Sequence, residues 1–289
     1  MKRILILVAL VIIAGIAGIV RSHSKSGDFD KLVSQNAADQ AREEIRQSYQ
    51  LAPGASVELS NINGAIKIET SDTKTADVFV ERIASSQEAL GRRKVTIEAD
   101  ANSLRIRGEK GDVGFFERLF GSSPSERLTL KLPRQIALHT KGVNGAVTAG
   151  DIDGPVDVRG VNGRVQITGA NGTADFKGIN GNISVGLKQL NTDGVNLGGI
   201  NGNIELQLSQ GLNADFDAHG INGTVMSDLS DVMIDRAKRG HYSGRIGSGG
   251  SPITAKGING NIKLTRAAGA SEAAESTSKD QTPGEKSKL

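Results

Sequence analysis

Gly-Ile-Asn-Gly occurs four times, at Gly178–Gly181, Gly199–Gly202, Gly220–Gly223 and Gly257–Gly260. Looser copies stand at Gly142–Gly145, Gly160–Gly163 and Gly169–Gly172, and Asn61–Gly64 (NING) is an early outlier. The eight Asn-Gly pairs are Asn63-Gly64, Asn144-Gly145, Asn162-Gly163, Asn171-Gly172, Asn180-Gly181, Asn201-Gly202, Asn222-Gly223 and Asn259-Gly260. With Asp153-Gly154 as a degenerate copy, the motif recurs every nine residues from Asn144 to Asn180. The spacing then becomes 21 residues, and finally 37 between Asn222 and Asn259. A short fixed period demands a repeat architecture, so the fold is argued from the repeat.

Asn-Gly is the strongest two-residue hairpin signal, but the apolar pattern argues against a hairpin here. Val161, Gly163, Val165 and Ile167 lie two apart, as do Ala170, Gly172, Ala174 and Phe176. Successive side chains on a strand point to opposite faces. One face therefore runs straight through Asn-Gly and breaks only between Ile167 and Ala170. This places the corners at Arg159-Gly160, Thr168-Gly169 and Lys177-Gly178, where Gly adopts positive φ readily. The second Gly of each motif points inward, where a missing side chain allows a bend or a close approach. Two folds satisfy the pattern. One is a β-solenoid of stacked parallel coils of 18–21 residues, two strands to a coil. The other is an antiparallel meander. The solenoid accounts for like residues at like positions, with Ile on Ile and Asn on Asn. Residues 142–264 then make about six coils, ~4.8 Å apart.

Upstream, residues 51–141 read as a less regular β region. Val57–Leu59, Ile66–Ile68, Val78–Val80, Val95–Ile97, Leu104–Ile106 and Leu128–Leu132 all alternate with period two. Phe115, Phe116 and Phe120 crowd one interrupting segment. They form either a helix face folded onto the sheet or an exposed apolar tip for a membrane or partner. Residues 26–50 read as a polar linker followed by a weak amphipathic helix over residues 31–47. Between Asp228 and Pro252 an insertion carries Arg236, Lys238, Arg239, His241 and Arg245, and reads as a solvated loop or protruding hairpin. Residues 266–289 have the small, polar composition of a disordered tail.

At the N-terminus, Ile4–Val20 is an uninterrupted apolar run flanked by Lys2, Arg3 and Arg21. As a helix it spans roughly 26 Å, close to a hydrocarbon core. Residues 1–25 are therefore expected to be an uncleaved signal anchor, with the membrane reached through residues 4–20. Cleavage after Ala17 is the alternative. The flanking positive charges place the N-terminus in the cytoplasm and the body outside it, in the cell envelope.

Composition narrows the chemistry. There are 37 glycines, seven Phe, two Tyr, no Trp and no Cys. That excludes disulfides, thiolate metal sites and a cysteine nucleophile. A net charge of +3 without clustered bases and interleaved aromatics gives no nucleic-acid footprint. The four histidines, His23, His139, His219 and His241, are scattered through the sequence with no close ligand spacing. No nucleophile elbow, phosphate loop or calcium-binding nonapeptide is present. No catalytic, cofactor-binding or metal residue is expected, and the asparagines read as ladder formers before they read as a carbohydrate-binding face.

The segment from Leu51-Ala-Pro-Gly through NINGAIKI carries a resemblance, as do the Leu132-Pro133-Arg134 strand end, the G-[IV]-N-G repeats and the late RIGSGGSPITAKGINGNIKL. Together they resemble the bacterial "putative adhesin" β-strand-repeat family. They are also similar to the GIN-repeat head domain of putative autotransporter adhesins. The resemblance covers roughly residues 45–265. It implies a two-sheet, pectin-lyase-like superhelix without that group's catalytic residues, and it transfers no binding residues. The expected role is a non-enzymatic adhesion or interaction module at the cell envelope, its partner a protein or polysaccharide. The alternative is an accessory or sensing subunit of an envelope-stress system.

Overall fold

The computed structural model describes residues 40–111 and 123–267. The proposed anchor, the linker that follows it, the Phe115, Phe116 and Phe120 cluster and the C-terminal tail beyond Ala267 lie outside them, while Arg266, expected to begin that tail, ends the last strand. No helix among the described residues is long and apolar enough to cross a membrane.

The described chain is all-β apart from a single turn of helix, α1 (Gln87–Gly91). Its strands form one ten-stranded and one eleven-stranded sheet. The repeats alternate between them. β8 (Ile136–Val143), β10 (Val156–Val161), β12 (Ala174–Lys177) and β14 (Val195–Asn201) lie in the eleven-stranded sheet. Each hands the chain to β9 (Val147–Ile152), β11 (Val165–Asn171), β13 (Ile183–Gln189) or β15 (Ile204–Leu208) in the ten-stranded sheet. One strand from each sheet makes a coil, and successive coils pair in parallel in both sheets. The nine-residue period is therefore half a coil. Asn144, Asn162 and Asn180 mark one corner, while Asp153 and Asn171 mark the opposite one.

Upstream strands follow the same rule. β2 (Ala55–Ser60) with β3 (Gly64–Ser71), and β6 (Ser103–Lys110) with β7 (Ser125–Pro133), each form a coil parallel to its neighbour. The less regular half thus stacks directly on the repeats. One continuous apolar core runs from Leu51 to Leu264, with a small second cluster of Ala41, Ala84, Ala89 and Leu90 beside it. Its columns are nearly all aliphatic: Val147, Val165, Ile183, Ile204 and Ile262 stand in register and are essentially fully buried. Phe176 and Phe216 are its largest wholly or nearly buried side chains. Thin two-sheet layers leave little room for more aromatic bulk.

At the C-terminal end, space and sequence part company. β16 (Ala214–Asn222) and β17 (Val225–Ser227) form the outermost coil. β20 (Ser251–Asn259) and β21 (Ile262–Arg266) return to lie between it and the coil of β14 and β15. The insertion between them becomes an antiparallel hairpin, β18 (Val232–Lys238) and β19 (His241–Ile246). It lies flat along the free edge of β16 and extends the sheet.

The opposite end is also closed by antiparallel strands, with β4 (Thr75–Ala84) and β1 (Ala41–Gln50) on one sheet and β5 (Arg93–Ala99) on the other. This corrects the described part of the helix expected over residues 31–47, since Ala41–Gln50 is an edge strand; residues 31–39 lie outside the described residues. Alternating exposed residues Arg42, Glu44 and Arg46 face water. Ile45 and Tyr49 pack on the core, and Glu43 pairs with the buried Arg82. Ala, Arg, Glu and Gln there favour helix, but the amphipathic pattern is weak and the open edge of β4 supplies ten backbone pairings that outweigh the propensity.

Candidate functional site

Six of the seven motif corners at one edge of the stack share a first glycine in the left-handed region: Gly142, Gly160, Gly178, Gly199, Gly220 and Gly257, with φ between 59° and 66°. The following Ile or Val turns back into the core, and the Asn points out to solvent. The second glycine is set by contact. A Cβ built on Gly163 would lie 2.3 Å from the Gly145 carbonyl oxygen, and one on Gly181 2.2 Å from that of Gly163. Gly145, Gly202, Gly260 and Gly223 repeat the approach at 2.2–2.3 Å, and Gly64 is tighter still against Glu126. The corner is thus the whole tetrad. At the opposite corner Gly169 lies within β11, and the positive φ falls on Gly172 instead, at 123°. The corner expected at Thr168-Gly169 is therefore displaced to Asn171-Gly172, where the pairing of β11 with β13 is irregular between Ile167 and Asn171.

Seven asparagines form one hydrogen-bonded ladder along this edge. Nδ2 of Asn144 donates to Oδ1 of Asn63, Asn162 to Asn144, Asn180 to Asn162 and Asn201 to Asn180, each at 3.1 Å. Asn259 then donates to Asn201 at 3.0 Å and Asn222 to Asn259 at 2.9 Å. At the far end, Asn63 donates to the Pro124 carbonyl. Its backbone N–H donates to the fully buried Glu126 carboxylate, which also accepts from Arg93 Nε at 3.0 Å. A shorter second row, Asn182, Asn203 and Asn261, caps the backbone N–H groups of the next coil. The amides are largely spent on each other, which fits a scaffold.

The outer face of the eleven-stranded sheet offers more to a ligand. Strand register aligns Lys141, Arg159, Lys177, Gly198, Lys256 and His219 in one straight row. A parallel row contains His139, Asp157, Asp175, Asn196, Thr254 and Asp217. Acids and bases pair between rows: Arg159 lies 2.7 Å from Asp157, and Lys177 lies 2.6 Å from Asp175. The hydrogen bond from Arg159 to Asp157 raises the guanidinium pKa further above its usual value, so the charge is permanent. Lys141 and Lys256 face solvent in the same row, with Gly198 standing between Lys177 and Lys256.

Both rows converge at the hairpin. Asp217 and His219 stand two apart on β16, so they share a face, and His241 on β19 lies directly across from His219. His219 Nε2 is 2.8 Å and His241 Nε2 is 3.5 Å from Asp217 Oδ1. The two imidazoles sit 4.0 Å apart, centroid to centroid. Two of the four histidines, His219 and His241, are thus brought together with Asp217 in a group able to hold a metal ion. The local signal was the Asp-x-His spacing in the alternating run ADFDAHG. The partner, 22 residues on, had no local signal. Of the other insertion bases, Arg236 lies over the Tyr242 ring, 5.7 Å from its centroid, and Arg245 lies 3.5 Å from Asp215.

No family model matches the chain, and no curated protein is a detectable relative. Solved structures that it is similar to include a putative cell adhesion protein from Clostridium sporogenes, at 13% identity and a TM-score of 0.38. That match covers 78% of this chain and all of the other. A putative adhesin from Bacteroides fragilis shows 12% identity and a TM-score of 0.29, covering 77% and 97%. A putative lipid binding protein from Parabacteroides distasonis shows 11% identity and a TM-score of 0.25, also covering 77% and 97%.

Proposed function

We propose that this chain is a non-enzymatic interaction module of the cell envelope whose outer sheet face holds an extended, repeating polymer, a polysaccharide first of all. The observation that carries this reading is the straight row of Lys141, Arg159, Lys177 and Lys256, set beside a row of acids and amides. Strands ~4.8 Å apart repeat on the scale of one sugar unit in an extended glycan. A rigid parallel stack holds the donors and acceptors in place before the ligand arrives, which reduces the ordering cost of binding. The apolar run Ile4–Val20 between Lys2-Arg3 and Arg21 supports export and tethering through residues 4–20. The motif repertoire supports no reaction. The test is retention of the purified full chain on insoluble envelope polysaccharide and peptidoglycan. Binding is expected, and K141E/K177E/K256E should weaken it about tenfold or more while leaving the fold intact. Retention on neither material, or retention indifferent to the triple reversal, would remove the reading.

A further inference from the structure

The structure assigns a transition-metal site, zinc first of all, to Asp217, His219 and His241 at the junction of the last coil and its antiparallel hairpin. Each residue offers one ligand atom, and the three atoms lie within 4.8 Å of one another. Zinc takes imidazole nitrogen and carboxylate oxygen at about 2.0–2.2 Å, which sets tetrahedral neighbours roughly 3.4 Å apart. The separations of 2.8 and 3.5 Å from Asp217 Oδ1 to the two Nε2 atoms bracket that value. Small rotations about χ1 and χ2 therefore suffice to close the set. Two neutral imidazoles and one carboxylate select a borderline-soft dication over calcium or magnesium, which prefer all-oxygen shells.

The position in the fold gives the site a consequence. Asp217 and His219 belong to β16, in the parallel stack, and His241 belongs to β19, in the hairpin that covers its edge. An ion held by all three ties the hairpin to the coil. Asp217 and His219 are exposed at the end of the Lys141–Lys256 row, so water or an anionic oxygen can reach an ion held there. Neighbouring charges are mixed. Lys256 lies beside His219 and Lys238 beside His241, while Asp235 is one strand removed from Asp217, across Ser243.

The test uses the tag-free full chain, stripped of metal by chelator and titrated at neutral pH with Zn²⁺ and Co²⁺, with Ca²⁺ and Mg²⁺ as controls. One zinc per chain is expected. Cobalt should give the intense visible bands of a four-coordinate N/O site, and amide exchange across 241–246 should slow on zinc binding. H219Q and H241Q should each weaken zinc binding about tenfold or more. H139Q, on the same face, should leave it unchanged. Circular dichroism of each variant separates lost ligation from lost fold, and D217N supplies a third ligand variant if either histidine variant misfolds. Absence of stoichiometric zinc binding, or zinc binding that survives H219Q/H241Q, overturns the assignment. Because these readouts involve no polymer, failure here is distinct from failure of the polymer-binding reading.

Discussion

The two glycines of each tetrad carry different constraints, and substitution separates them. Gly178 has φ +62° with only ordinary contacts around a would-be Cβ, the nearest at 3.8 Å. Gly178→Ala therefore pays only the left-handed strain, roughly 1–2 kcal/mol. Gly181 has φ +155°, and its Cβ would meet the Gly163 carbonyl oxygen at 2.2 Å. There the neighbouring coil has to move, and the combined strain and overpacking are on the order of 3–5 kcal/mol. Denaturant unfolding of the two variants should show Gly181→Ala as the more damaged by a clear margin. Equal losses would mean that coil–coil contact is not what holds the second glycine.

At the scale of the element, the asparagine ladder behaves as one object. Asn180 donates to Asn162 and accepts from Asn201. Asn180→Ala removes both bonds at an exposed site, where each is worth about 0.5–1 kcal/mol. Asn180→Asp is expected to be worse despite its similar shape. Its carboxylate can still accept from Asn201 but now faces the Asn162 oxygen with no proton to give. Thermal unfolding near neutral pH should rank wild type above Ala and Ala above Asp. Below the carboxylate range the protonated Asp regains a donor, so the gap between Asp and Ala should narrow as pH falls. If Asp equals wild type at neutral pH, the ladder has no directional hydrogen bonding.

For the whole molecule, a parallel stack has two open ends in each sheet, and unpaired strand edges invite association. Three of the four edges carry antiparallel strands bearing charges, and the fourth is the three-residue β17, paired parallel with β21. β1 exposes Arg42, Glu44 and Arg46. β18 carries Asp235, Arg236 and Lys238, although Met233 is 76% exposed beside them. Replacing residues 230–248 with a short Gly-Ser linker bares the edge of β16, whose pairing groups then face solvent. Light scattering and size-exclusion chromatography should show concentration-dependent self-association of that variant and none of the parent under the same conditions. Matching elution of the two across concentrations would show that the hairpin does not serve as a cap.

The repeat by itself determined the coil. Period-two faces running through Asn-Gly ruled out a hairpin there, like residues at like positions favoured the parallel coil over a meander, and each of Val161, Val165, Ile167, Ala174 and Phe176 is buried as the spacing demanded. The first-glycine corners at Gly160 and Gly178 and the stacking of Asn on Asn were equally legible, because identical side chains at identical positions satisfy one another locally, whereas the corner expected at Gly169 was not where the chain turns. What the repeat could not determine was order. Every coil presents the same edge, so Asn259 fits as well between Asn201 and Asn222 as after them. Only the antiparallel hairpin on β16, with β20 returning on its other side, decides the placement. The same applies to Ala41–Gln50, where the free edge of β4 overrides local helix propensity. It applies also to His219 and His241, which become neighbours solely through cross-strand register. Local periodicity encodes what repeats. The ends of the stack, and the chemistry gathered there, depend on pairings between residues distant in sequence.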